Sequence, residues 1–218
     1  MGVNVELVLG DCLEYMRTMP DGCVDAVVTD PPYGIGYDAS HSHFFGKGIA
    51  YRDATWDVEP FDPSPILALG KPTVLWGANN YPQRLPHGDN GWLCWVKTMR
   101  NYSKNRQADM ELAWTNCVNR PQVFRHLWIG AYRDSENGIA NVHPTQKPIR
   151  VMEWCIGLCS KPGDTIFDPF MGSGTTGVAC VKTGRNFIGC EIDPTYYAIA
   201  QRRIAEAQLQ LPLLEVNA

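Results

Sequence analysis

No run of apolar residues in this chain approaches the roughly 18 that a bilayer span requires. The opening residues Met1-Gly2-Val3-Asn4-Val5-Glu6 lack a basic segment followed by an apolar one, and Glu6 breaks the pattern for myristoylation. These absences lead to the expectation of an untargeted, cytoplasmic protein without a membrane partner. The eight cysteines (Cys12, Cys23, Cys94, Cys117, Cys155, Cys159, Cys180 and Cys190) include no C-x-x-C pair, which argues against a zinc ribbon or a secreted disulfide framework. They read as reduced thiols of a core. Cys155 and Cys159, four apart, share a face of an expected helix, but no metal site is expected there. Internal repeats and low-complexity segments are also missing.

An excess of positive charge is lacking too, since the formal net charge is −4. That excludes a protein coated all over for nucleic acid, yet the charge is uneven. Residues 97–150 hold nine Lys/Arg against four Asp/Glu, a local +5, which leaves −9 for the remainder. A segment of that sign suits a phosphate backbone, and solvated surface loops often carry as much. What is present otherwise is ordinary for a globular chain: 218 residues, 44% hydrophobic and 19% charged, enough for one domain to bury a sizeable core without metals or disulfides.

The pattern begins as strand, helix, strand, loop. Val5–Leu9 is apolar and β-branched, residues 11–19 carry Leu13 and Met16 at helical spacing, and Val24–Val28 is a short apolar run that suits a buried parallel strand. Thr73–Trp76, Gly91–Val96 and Glu111–Thr115 read as further strands, with loop-rich or short helical stretches at 60–65 and 81–87. Beyond them, Pro148–Cys159 predicts a helix opening on proline, residues 161–164 a turn, and Thr165–Phe167 a strand. A helix over Gly172–Lys182, a strand over Asn186–Cys190 and a helix from Asp193-Pro194 to about Gln208 complete the series. Alternation of this kind implies an α/β, doubly wound, mostly parallel sheet with helices on both faces.

Asp30-Pro31-Pro32-Tyr33 follows directly on a buried strand, where open α/β sheets bind ligands. Two prolines remove two N–H donors and stiffen the loop, which then presents acceptors. Such a loop suits an amine on a heteroaromatic ring, a poor nucleophile because its lone pair is delocalised. Hydrogen bonds accepted by the Asp30 carboxylate and the Pro31 carbonyl would favour an sp³-like nitrogen, and Tyr33 can stack on the ring. A polar turn with no ligand is the plainer reading of the same four residues.

The second constellation is Asp168-Pro169-Phe170-Met171-Gly172-Ser173-Gly174-Thr175-Thr176-Gly177, which contains G-x-G-x-x-G after a strand and before a helix. Its amides suit a pyrophosphate or an amino-acid carboxylate equally. Asp168 repels the former and would pair with the ammonium of a methionine moiety. Glu191, ending the next strand, would bind a ribose diol. Asp11, in Gly10-Asp11-Cys12, can accept from an adenine amine or simply cap a helix, since Glu14 stands at capping-box spacing. His143-Pro144-Thr145-Gln146-Lys147-Pro148 is by itself an ordinary helix start.

Taken in this order, these three motifs resemble the β-class of amino-group DNA methyltransferases, whose sheet is circularly permuted so that the catalytic half precedes the cofactor loop. The resemblance covers about residues 5–35 and 141–208. It implies a Rossmann-like, seven-stranded S-adenosylmethionine methyltransferase fold as a single domain over 1–218, with a small target-recognition insert within about 92–133. Carried over residue by residue, it implies that Asp30, Pro31, Pro32 and Tyr33 hold a flipped target base. The cofactor side would comprise Asp11, Cys12, Asp30, Lys147, Asp168, Pro169, Phe170, Gly172, Ser173, Gly174, Thr175, Glu191 and Ile192, with S-adenosylmethionine as cofactor. Thr175 and Lys147 would lie at its methionine end. Asp rather than Ser at position 30 favours N6 of adenine over N4 of cytosine.

Double-stranded DNA is the expected partner, with Lys97, Arg100, Lys104, Arg106, Arg120 and Arg125 as contacts. Lys47 and Arg52, in the 35–55 loop that either closes over the flipped base or is plain surface, join them. A homodimer and a cognate restriction endonuclease are further expected partners. A nicotinamide-dependent oxidoreductase would explain the glycine pattern but leave Asp30 to Tyr33 idle, and a silent DNA-binding module would leave both halves of the site unused.

Overall fold

The computed structural model describes residues 2–34, 61–88, 90–98, 108–129, 132–138 and 146–215. In chain order the elements are β1 (Val5–Leu9), α1 (Cys12–Thr18), β2 (Ala26–Thr29), α2 (Ser64–Leu67), β3 (Thr73–Trp76), β4 (Gly91–Val96) and β5 (Met110–Thr115). They continue with β6 (Gln122–Arg125), β7 (Trp128–Ile129), β8 (Tyr132–Arg133), α3 (Ile149–Cys159), β9 (Thr165–Asp168), α4 (Thr175–Thr183), β10 (Asn186–Glu191) and α5 (Pro194–Glu215). Eight strands form one sheet in the order β1-β10-β9-β2-β3-β5-β4-β6. Among the described strands of this sheet, only β5 pairs antiparallel to its neighbours, β3 and β4.

Side-chain alternation along these strands builds two cores, one on each face. Ala26, Val28, Val74, Trp76, Ile166 and Phe187 face the layer of α3, α4 and α5. Val27, Leu75, Phe167 and Ile188 point the other way, to Cys12, Ile66, Tyr81 and Leu85. Because β2 and β3 are buried on both faces, they read in sequence as continuous apolar runs, as central parallel strands do.

Two expectations need correction. Among the described residues the sheet has eight strands instead of seven, because β6 extends it beyond β4. Gln-Val-Phe-Arg alternates exposed and half-buried residues at an edge, so its apolar signal is too weak to read locally. The helix expected from Gly172 starts at Thr175, since Gly172 and Gly174 both have left-handed backbone. Of the segment 92–133, strands β4, β5 and β6 belong to the central sheet, while β7 and β8 form a separate antiparallel pair.

Candidate active site

Parallel pairing brings the carboxyl ends of β1, β10, β9 and β2 side by side, and with them Asp11, Glu191, Asp168 and Asp30. Residues far apart in the chain thus line one edge of the sheet, the place where α/β folds bind ligands. The seam between the two motifs is sealed by hydrogen bonds. Thr29 Oγ1 donates to Asp168 Oδ1 (2.6 Å), Thr176 Oγ1 to Asp168 Oδ2 (2.5 Å) and the Phe170 amide to Asp168 Oδ1 (3.1 Å). Asp168, only 2% exposed, therefore ties the glycine loop to β2, and most of its acceptor capacity is spent inside the protein.

Burial pushes the Asp168 carboxyl up to about 6 from its ordinary 3.8, against the hydrogen bonds from Thr176, Thr29 and Phe170 that favour the ionised form. The folded protein thus keeps a proton that the unfolded chain gives up first. The stability this group contributes is complete below about pH 4 and is lost as pH rises through about 6. Asp168→Asn removes the titration. The unfolding free energy of the variant relative to the parent should therefore increase by up to about 3 kcal/mol between pH 4 and 7. A difference that stays flat over that range, measured by chemical denaturation, would contradict the assignment.

Gly174, at φ 80°, turns the chain into α4, and a Cβ there would lie 2.9 Å from both Cα and Cβ of Ala200. The loop is thereby pressed against α5. From that helix Arg203 reaches back, its Nη1 donating to Ser173 O (2.6 Å), Ser173 Oγ (2.8 Å) and Thr175 Oγ1 (3.3 Å). Arg203 belongs to no sequence motif; it is the second of two consecutive arginines on α5.

Toward β1, Asp11 caps α1 by accepting from the Leu13 and Glu14 amides at 2.8 and 3.0 Å. The capping role foreseen for it is therefore present. Cys12 is buried in the core. The Glu191 carboxylate accepts from the Asp193 amide at 2.8 Å, and the next residue, Ile192, leaves an apolar side chain 68% exposed beside it. Pro169 is buried, and Phe170 packs edge-on to Phe61 with ring centres 5.5 Å apart.

At the end of β2 the Asp30 carboxylate lies in a chain of charges. Tyr33 Oη donates to Asp30 Oδ1 at 2.5 Å, and Lys147 Nζ pairs with Asp30 Oδ2. The same ammonium is 3.1 Å from Tyr33 Oη and 3.3 Å from Glu111 Oε2, while Glu111 Oε1 is held by Lys97 Nζ at 2.5 Å. Lys147 also stands 5.1 and 5.7 Å from the ring centres of Trp76 and Tyr33. Burial raises the Asp30 carboxyl above its ordinary range, with Lys147 opposing and Glu111 adding to the rise. For Glu111, burial also acts upward, but Lys147 and Lys97 prevail and hold it down at about 2. Two carboxylates sharing one lysine are thus driven apart, the pattern of sites that divide proton and charge roles.

Tyr33 owes its place to Gly77, which follows β3 with φ 67°. A Cβ at Gly77 would lie 1.9 Å from the Tyr33 ring, so this close approach admits only glycine. Neither Gly77 nor Glu111 carries a motif.

A model of the DNA methylase family, covering N6 and N4 enzymes, matches residues 73–202, from β3 into α5. The chain belongs to this family. YubD of Escherichia coli strain K12, designated a methylase, is 28% identical over 208 residues, 91% of this chain and 89% of YubD. The type II methyltransferase M.HinfI of Haemophilus influenzae is 25% identical, with 90% of this chain and 67% of that protein covered. In fold the chain is similar to M1.HpyAVI, solved in complex with SAM, at a TM-score of 0.56, 24% identity, and 91% and 99% of the two chains. The cytosine-N4-specific PvuII DNA methyltransferase superposes at 0.59 with 16% identity, over 96% and 93%.

For a DNA methylase the placement of cations matters. Arg125 closes β6 at the same end of the sheet as Asp30 and is exposed; Arg120 precedes β6 and so lies at the opposite end. Lys97, expected among the phosphate-facing cations, is instead paired with Glu111 and mostly buried. Arg133 stacks on Trp128, 4.3 Å from its ring centre. Lys47, Arg52, Arg100, Lys104, Arg106 and His143 lie outside the described residues. No described helix is long and apolar enough to cross a membrane, and no cluster of metal-binding side chains occurs among the described residues.

Proposed function

We propose that this DNA methylase transfers a methyl group from S-adenosylmethionine to N6 of an adenine flipped out of double-stranded DNA, and that it is of the permuted β-class. The observation that carries the reading is the juxtaposition of the Asp30 loop and the glycine loop, sealed by Thr29 and Asp168. The order Asp30 loop first, glycine loop second in the chain supports the permuted class.

The residues present fit the cofactor. Glu191 offers a carboxylate for a ribose diol, the exposed Ile192 and the half-buried Phe170 offer apolar surface for an adenine ring, and the turn at Gly172 and Gly174 lets the backbone approach the methionine end. When bound, S-adenosylmethionine supplies a methyl group activated by its sulfonium. Asp30 and the Pro31 carbonyl accept the two N–H groups of the target amine and direct its lone pair toward that methyl. The transfer would leave the cofactor's sulfur as a neutral thioether and the nitrogen with one proton in excess, for which Asp30 is the adjacent base. Tyr33 supplies a ring face for the flipped base. Positioning of this kind is worth up to about 7–11 kcal/mol in a barrier.

Arg125, exposed at the same end of the sheet, supports DNA contact there; the rest of residues 92–133 outside the sheet would supply target recognition. A homodimer covering a longer site and a cognate endonuclease belong to the same proposal. Light scattering with and without DNA tests the first, and a monomer under both conditions would refute it.

The deciding experiment expresses the protein in a host free of its own methylases and identifies modified nucleosides in hydrolysed DNA by mass spectrometry. N6-methyladenine is expected. N4-methylcytosine in its place would overturn the base assignment and keep the amine chemistry, and neither product would refute the reading of the site.

A further inference from the structure

Asp30 must accept a hydrogen bond from an incoming amine, yet each of its oxygens already has a partner, Oδ1 in Tyr33 and Oδ2 in Lys147, whose ammonium also offsets the charge that would draw the amine. Lys147 is 5% exposed, and an ammonium so buried is strongly destabilised without a carboxylate partner. A second partner stands within reach. Glu111 Oε2 lies 3.3 Å from the same Nζ, so a shift of well under a side-chain length exchanges one carboxylate for the other.

Glu111 is itself anchored. Its other oxygen is held by Lys97 at 2.5 Å, and the ladder between antiparallel β4 and β5 continues through the Lys97 amide to Asp109 O at 3.0 Å. Two ammoniums and two carboxylates make the group neutral, so moving Lys147 within it changes no net charge. We propose that Glu111, fixed by Lys97, is a positioning residue that takes over the Lys147 ammonium and thereby releases the Asp30 carboxylate to the substrate amine. This rests on the methyl-transfer reading of the Asp30 site.

The groups facing Asp30 are Lys147 and Tyr33 in direct contact, Glu111 beyond Lys147, Tyr81, and Asp168 on the neighbouring strand. Among them the Glu111 charge opposes ionisation of Asp30. Glu111→Gln should therefore have two effects at once. Lys147 stays on Asp30, so kcat falls about 10- to 100-fold, the value of one charged hydrogen bond. The acid limb of the kcat–pH profile, which reports ionisation of Asp30, moves to lower pH because a negative neighbour has gone. S-adenosylmethionine affinity, read by calorimetry, should not change.

A charge that acts on Asp30 only through space would move the limb and leave kcat on its plateau at the parental value. Lys97→Gln leaves Glu111 charged but untethered; it should lower kcat less and not move the limb downward, and it carries the test if Glu111→Gln does not fold. An unmutated enzyme that methylates no DNA refutes the reading of the site. An active parent whose Glu111→Gln variant keeps its kcat or its acid limb, or failing that a Lys97→Gln variant with parental kcat, overturns the role of Glu111 alone.

Discussion

Asp30→Ala is expected to lower DNA methylation about 10²- to 10⁴-fold while S-adenosylmethionine binding is largely retained. The reason lies in where Asp30 sits. It is the charged acceptor at the end of β2, aimed at the place where an amine must be made pyramidal, and the other acceptor there, the Pro31 carbonyl, carries no net charge. Retention of the fold is expected as well. A buried cation left alone costs about 3–5 kcal/mol, but Lys147 keeps Glu111 as its partner when Asp30 is removed. Asp30→Asn separates charge from hydrogen bonding: its amide oxygen can accept one N–H, so a loss nearly as large as that of alanine would locate the effect in the carboxylate charge. The measurement is single-turnover transfer of labelled methyl to DNA alongside calorimetric cofactor binding. Undiminished turnover in Asp30→Ala would remove Asp30 from catalysis, and loss of cofactor binding with it would make Asp30 chiefly a cofactor ligand.

The second large effect concerns the other half of the site. Gly174→Ala should destabilise the protein by about 2–5 kcal/mol, combining left-handed backbone at a residue with a side chain and overpacking against α5. The inserted methyl meets backbone and Cβ of Ala200, neither of which can rotate aside, so relief requires α5 and the loop to separate. Separation also stretches the hydrogen bonds by which Arg203 holds Ser173 and Thr175. Cofactor affinity should fall together with stability, whereas in Asp30→Ala both are expected to be largely retained while activity is lost. Denaturant unfolding and calorimetry on the same preparation check this, and an alanine variant with parental stability and affinity would show that the turn tolerates a side chain.

The agreement between sequence and structure is closest where signals are local. The strands expected at Thr73–Trp76 and Gly91–Val96 have those same bounds in the structure, and β2 and β9 deviate by one or two residues. Asp11 illustrates a reading left open between a cap and a ligand; two amides on one carboxylate oxygen account for the cap. In sequence the glycines of the G-x-G-x-x-G turn suggest room for a ligand, yet a Cβ at Gly177 would strike Ile204 and Phe187 at 2.4 and 2.8 Å, so this glycine serves helix packing.

By itself, then, the amino-acid sequence determined the alternation of strands and helices, the two motifs at strand ends and the acids Asp30, Asp168 and Glu191. Apolar runs, prolines and glycines act on the backbone within a few residues, and such effects are visible in a linear string. Only the tertiary structure decided that Glu111 and Lys97 join Asp30 through Lys147, that Gly77 makes room for Tyr33, that Arg203 clamps the glycine loop and that β6 completes the sheet. Those contacts depend on the order in which strands lie side by side, with β5 inserted between β3 and β4. No local propensity encodes an ion pair between residues 111 and 147, which exists because chain folding removes both charges from water at the same point.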